Sequence, residues 1–247
     1  MSADREWISR CEDLEQSVLK YKSVRFSRFV SPHELAVFKT NVKASPFVNV
    51  LAFGGAEDAE RVMLGFFPDF LEADEALFPI ARLLISGISG MTHRDVLGSV
   101  LGLGIKREMT GDIYIDGDEA VLMCDESIAE FLLYQLKTVG RKKVTVSYLP
   151  EEKSVSLAHP FEVSRAVVSS LRLDALVSTC ARLSRSDAQK LIEADGVNVN
   201  FCVVNDGAKK LKEGDVLSIK HHGRFVFLAV SGETKKGRIA VEIKKYV

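Results

Sequence analysis

From Ile80 to Tyr148 the spacing of apolar residues alternates between the two-residue period of a strand and the 3.6-residue period of a helix, and the order of these changes restricts the fold more than any other feature. A strand over Ile80–Ser86 precedes a helix over 92–103. Strands over 112–116 and 119–124 follow, joined by Gly117-Asp118, then a helix over 127–137 and a strand over 142–148. The order βαββαβ predicts a ferredoxin-like (RRM-like) domain. That architecture serves RNA-recognition domains, enzymes and metal carriers alike, so it constrains shape without choosing a chemistry. The aromatic signature with which RNA-recognition domains stack bases is absent from it.

The chain on either side of this unit is long enough for further cores, since 247 residues exceed what one hydrophobic core usually organises. On the N-terminal side, Ile8, Cys11, Leu14, Val18 and Tyr21 recur at helical spacing over 6–22, and Pro32 after Ser31 opens a second helix. Strands are expected over Val48–Phe53 and 61–67. On the other side, Leu149-Pro150-Glu151-Glu152-Lys153 marks a break, with a linker expected to run to about Glu162. The expected organisation is an α+β or α/β multidomain chain: a small N-terminal α/β domain over 1–75, the ferredoxin-like domain over 76–150, and a third domain over 163–247. No run approaches the ~20 apolar residues of a membrane helix, and Asp4, Arg5 and Glu6 interrupt any signal-peptide core, so a cytoplasmic protein without membrane contact is expected. Cys11, Cys124, Cys180 and Cys202 form no C-x-x-C pair and read as neutral thiols; no metal and no cofactor is expected.

The net charge of −1 hides an asymmetry. From Ser170 onward 14 Lys and Arg face 9 Asp and Glu, a net of +5, which leaves −6 on the preceding residues. Phosphate attraction follows local charge, so the C-terminal segment is the candidate nucleic-acid face. There Leu173, Leu176, Val177 and Cys180 make one apolar stripe, with Ser170 as the expected N-cap. Ser184 is expected to cap a second helix, with Asp187 three positions on as a short-armed capping box, and Gly196 stops it. Arg182 and Arg185 beside that helix start make a phosphate seat, because free backbone N–H groups, the dipole and two guanidiniums point the same way. Lys209, Lys210 and Lys212 lie in the loop beyond, and His221-His222-Gly223-Arg224 is expected to bring a second basic cluster near the first.

Arg172-Leu173-Asp174, Ser184-Arg185-x-x-Ala188-x-x-Leu191-Ile192, Val197-x-Val199-Asn200, Leu211-x-x-Gly214-Asp215 and Gly223-Arg224 resemble the RNA-binding module first defined in small-subunit ribosomal protein four, the S-four module, with its α-L helix pair and short β-strands. Phe201 stands where that family usually has Gly, which predicts a different local turn, with the ring either in the core, the favoured place, or forming an exposed stacking surface. Thr92-His93-Arg94-Asp95-Val96-Leu97-Gly98, Gly102-Leu103-Gly104-Ile105-Lys106-Arg107-Glu108 and Gly111-Asp112-Ile113 resemble the central region of the bacterial YlmH family. That resemblance implies a cytoplasmic, ribosome-associated protein tied to rescue of stalled large subunits carrying peptidyl-tRNA. A monomer that meets rRNA or tRNA through the C-terminal module is expected, with Arg172, Arg182, Ser184, Arg185, Gln189, Lys190, Asn200, Lys209, Lys210 and Arg224 as contacts. Arg94, Lys106 and Arg107 are candidates for a second RNA contact.

Two other classes compete: an RNA-modifying enzyme of pseudouridine-synthase type targeted by the same module, and a cell-division adaptor using the acidic N-terminal half. His93-Arg94-Asp95 invites the first, yet these residues are expected to open a helix, where Asp95 serves the dipole. Gly98, Gly102 and Gly104 fall within and after that helix, the reverse of a phosphate-loop context. His221 and His222 lack further ligands, and no catalytic residue is assigned.

Overall fold

The computed structural model describes residues 2–151, 161–234 and 237–246, so the expected linker lies largely outside the described residues. Two compact units emerge, Met1–Ala158 and His159–Val247.

In the first unit, α1 (Ser2–Tyr21) is followed by β1 (Arg25–Phe26), α2 (Pro32–Asn41), β2 (Val48–Phe53) and β3 (Met63–Pro68). Ser31 caps α2 through a reciprocal box with Glu34, and Pro32 occupies the first turn, as its position predicts. The strands form an antiparallel sheet in the order β1-β3-β2. Next come β4 (Ile80–Ser86), α3 (His93–Gly102), β5 (Thr110–Asp116), β6 (Glu119–Asp125), α4 (Ala129–Gln135), β7 (Thr138–Val139), β8 (Lys142–Lys143) and β9 (Thr145–Tyr148). An antiparallel sheet runs β5-β6-β4-β9. Two expected elements are shorter than their apolar pattern. Asp125 caps a 3-10 turn over Glu126–Ile128 before α4 begins. The strand expected over 142–148 divides, because Lys142–Lys143 pairs back onto β7 around Gly140 while β9 alone joins β4.

The boundary expected near residue 75 separates two sheets, each with an apolar cluster of its own, but a third cluster joins them. Phe29, Met63 and Phe67 on one side of it share a cluster with Phe78, Leu84, Tyr114, Val121 and Met123 on the other. Asp112 of β5 accepts hydrogen bonds from the backbone of Glu60 (2.6 Å) and Arg61 (3.3 Å). Arg61 in turn donates to the carbonyls of Thr110, Phe29 and Arg107. Burial pushes the Cys11, Cys124 and Cys180 thiols up to about 12, in keeping with neutral side chains.

The second unit contains β10 (Phe161–Val168), α5 (Leu173–Ala181), α6 (Arg185–Glu193), β11 (Val197–Val199), β12 (Cys202–Val203), β13 (Val216–Ile219), β14 (Gly223–Glu233) and β15 (Ile239–Tyr246). Its antiparallel sheet runs β10-β15-β14-β13-β11-β12. Leu173, Leu176 and Val177 of α5 and Ala188 and Ile192 of α6 bury against one face of it, where they meet Val197, Val199, Leu217, Ile219, Phe225 and Phe227. Strand alternation turns every second residue to the outer face.

Candidate nucleic-acid interface

The helix pair is held by backbone, and this differs from the expected capping. Ser170 does not cap α5; its hydroxyl is buried without a hydrogen-bond partner, and the N-cap is Arg172, which makes no side-chain cap. The first amides of α5 are satisfied by the following loop instead, Leu173 N–H donating to the carbonyl of Lys209 (2.9 Å) and Asp174 N–H to that of Gly207 (3.0 Å). The same contacts bring Lys209 and Lys210 to the start of α5, where Arg172 pairs with Lys210 in an isolated bridge. Gly207 lies so close to α6 that a Cβ there would stand 2.2 Å from Gln189 Oε1. Arg172, Gln189, Lys209 and Lys210 therefore converge. Arg172 is also engaged by both carboxylate oxygens of Asp174 at 3.1 Å, which offsets part of its charge.

At the other end of the pair, Arg182 adopts a left-handed conformation (φ 56°, ψ 42°) that ends α5, and Ser184 opens α6 two residues later. The Ser184 hydroxyl accepts from Asp187 N–H (3.1 Å) and donates to its carboxylate (2.7 Å), so the Asp187 carboxylate meets the hydroxyl and not the backbone of the cap. That bond, followed by Lys190 at 3.5 Å, holds the Asp187 carboxyl below its ordinary value. Arg182, Ser184, Arg185 and Lys190 are all exposed. Arg185 lines a cleft with Ser169, Ser178, Thr179 and Arg238. The basic run Lys235-Lys236-Gly237-Arg238 is the sequence signal for Arg238.

Two expectations are corrected. Arg224 does not join this cluster: the sheet packs on the helix pair through Phe225, so alternation sends its neighbour Arg224 to the outer face. The turn after β11 keeps positive φ at both central residues, Asn200 (49°) and Phe201 (65°), as the I′ turn of a two-residue hairpin requires. Phe201 thus takes the conformation that Gly favours, and its half-buried ring lies 5.3 Å from the Arg224 guanidinium and not in the core. Asn200 is largely committed to the fold, donating to Asp215 (2.8 Å) and accepting from Val216 N–H (2.9 Å).

In the first unit Arg94 and Lys106 are exposed, whereas Arg107 is engaged internally. Its guanidinium donates to the carbonyls of Thr110 (2.8 Å) and Gly111 (3.0 Å) and to the Thr110 hydroxyl (2.6 Å). Burial, and then the nearby Arg61 cation, pulls it down to about 10. Asp95 caps α3, accepting from Thr92 N–H (2.8 Å) and hydroxyl (2.7 Å), which keeps its carboxyl below the usual range. No cluster of three or more metal-ligating side chains occurs among the described residues.

Residues 87–153 match the family described as "Putative RNA-binding domain in YlmH", and residues 171–217 match the S4 domain. Over 245 residues, 98% of this chain and 95% of the relative, the chain is 28% identical to "Ribosome-associated protein quality control protein P2" of Bacillus subtilis (strain 168). Over 87–153 the chain is therefore similar to the YlmH family. The solved structure named "Cell division protein ylmH from Streptococcus pneumoniae" covers 60% of this chain and 92% of its own, with a TM-score of 0.52 at 22% identity, a likeness of fold. The matched ranges contain the helix pair with its loop and the whole stretch from α3 to β9.

Proposed function

We propose that this protein is a non-enzymatic, ribosome-associated RNA-binding factor of quality control, and that it docks on folded rRNA or tRNA of the large subunit through the α5–α6 face. The observation that carries this reading is the start of α6. There Arg182, Ser184 and Arg185 lie at or just before the first turn of α6, where the dipole and the leading helix amides favour a phosphate. Arg172, Gln189, Lys209 and Lys210 extend the basic surface at the far end of the pair, and Arg94 and Lys106 offer a second contact on a domain read as ferredoxin-like. An enzymatic role for His93 and Asp95 loses its motive, because the Asp95 carboxylate is engaged in the α3 cap.

The test is RNA binding by the full chain with Arg182→Ala/Arg185→Ala. Affinity for structured rRNA fragments should fall for most sequences alike, and the salt slope should flatten by roughly 0.7 to 1 per lost phosphate contact. Unchanged affinity and slope would remove the α5–α6 face from the interface.

A further inference from the structure

The outer face of the C-terminal sheet carries a second pattern. Phe161 of β10 pairs with Tyr246 of β15, and Arg224 stands beside Tyr246 by the register that pairs Phe225 with Lys245. Lys244 Nζ lies 4.0 Å from the Phe161 ring centroid and 5.1 Å from that of Tyr246. The Arg224 guanidinium lies 5.8 Å from Tyr246 and 5.3 Å from Phe201. Rings and cations therefore alternate across the sheet as Phe161, Lys244, Tyr246, Arg224 and Phe201. The row ends at a polar cleft of about 490 Å³ that Arg224 shares with Asn198, Ser218, Lys220 and His221, with Asp195 also in its lining.

We infer that this outer face is a second RNA site, one that takes unpaired nucleotides. Bases stack on Phe161, Tyr246 and Phe201, while backbone phosphates meet Lys244 and Arg224, the combination of stacking rings and cationic track that single strands require. The cleft has the size of a small-ligand site and offers the Asn198 amide and Ser218 hydroxyl to a splayed base or sugar. Charge complementarity favours RNA over an apolar protein partner: Phe161 and Val163 on this face are 50% and 54% exposed, yet Lys244 and Arg224 separate the rings of the row. Glu242, on the same face, is engaged by Arg165 at 2.9 Å. Phe201 adds an independent sign, since a bulky ring at φ 65° costs backbone strain that a Gly would relieve, and such strain collects at functional positions. The inference rests on the reading of this chain as an RNA binder but concerns a different face and a different form of RNA.

The experiment measures binding of the full chain to a fluorescent oligouridylate of about ten nucleotides and to a fully paired RNA hairpin, with thermal melting as the control for folding. Phe161→Ala/Tyr246→Ala should lower oligouridylate affinity about tenfold or more while changing hairpin affinity by less than about twofold. Phe201→Gly, which relieves backbone strain, should weaken the oligouridylate in the same direction without loss of stability. Arg182→Ala/Arg185→Ala should do the reverse. Oligouridylate binding untouched by both ring variants overturns the proposal, and so does equal loss of both probes in variants that melt normally. Oligouridylate binding retained while ribosome co-sedimentation fails would assign the face to a protein partner and overturn it as well. If the arginine variant leaves hairpin affinity unchanged while the ring variants still lower oligouridylate affinity, the reading of the α5–α6 face fails and the sheet site stands.

Discussion

At the scale of single residues, the same residue types do different work according to what surrounds them. Arg107 and Arg185 are both arginines in basic runs, yet the first spends its donors on the carbonyls of Thr110 and Gly111 and the second is exposed beside a helix start. No sequence pattern separates them, because burial depends on residues far away in the chain. Asp95 is the opposite case, since Thr92 and Asp95 at N-cap and N3 form a local unit that spacing alone reveals. Its carboxyl is held low first by the Thr92 backbone bond and then by the hydroxyl, so the ionised form favours the folded state. That contribution is present above the ordinary aspartate range, near 3.9, and is lost as pH falls through the lower folded value. An NMR titration should show Asp95 titrating below an ordinary aspartate and moving up toward it in Thr92→Val. A titration that does not move would show that the cap is not formed. Asp95→Asn should leave both RNA binding and function in cells lacking the native gene intact, whereas a catalytic role would spare binding and abolish function.

At the scale of elements, the amphipathic helices and alternating strands follow from periodicity, and their ends follow from partners. The α5 start is the clearest instance: Ser170 has the right chemistry for a cap, but the carbonyls of Gly207 and Lys209 reach the helix amides first. This couples the basic loop to the helix pair through Gly207. Gly207→Val would push the flexible Gln189 amide off the loop and crowd Asp174 Cβ, 3.4 Å from the added Cβ, and should cost about 1 kcal/mol of C-terminal-unit stability, with a parallel loss of structured-RNA affinity. Gly98→Ala in α3, where a Cβ meets nothing within 4 Å, is the control and should stabilise by up to about 1 kcal/mol. Urea denaturation of both variants measures the contrast, and a neutral Gly207→Val would uncouple the loop from the helix.

At the scale of the whole molecule, the chain is two units with separate cores. Leu176, Val177, Ile192, Leu217, Phe227 and Val241 close a cluster within the C-terminal unit. A fragment from Ser154 to Val247 should accordingly unfold cooperatively and keep structured-RNA affinity, as calorimetry and titration would show. A folded but inert fragment would move RNA binding to the first unit. A cut near residue 75 should instead leave neither piece folded, because Met63 and Phe67 pack with Val121 and Met123. The sequence alone determined the elements and the basic C-terminal module, because periodicity, caps and turn residues act over a few positions and need no knowledge of the fold. Helix and strand order over 80–148, the α2 start at Pro32 after Ser31, and the α6 start with Arg182 and Arg185 were all legible in this way. Tertiary structure decided which surface each charge occupies. Arg224 faces away from the helices because Phe225 beside it is buried, Arg238 meets Arg185 across a cleft, and the first two segments share a core. Each of these depends on contacts between residues distant in sequence, which local spacing does not encode.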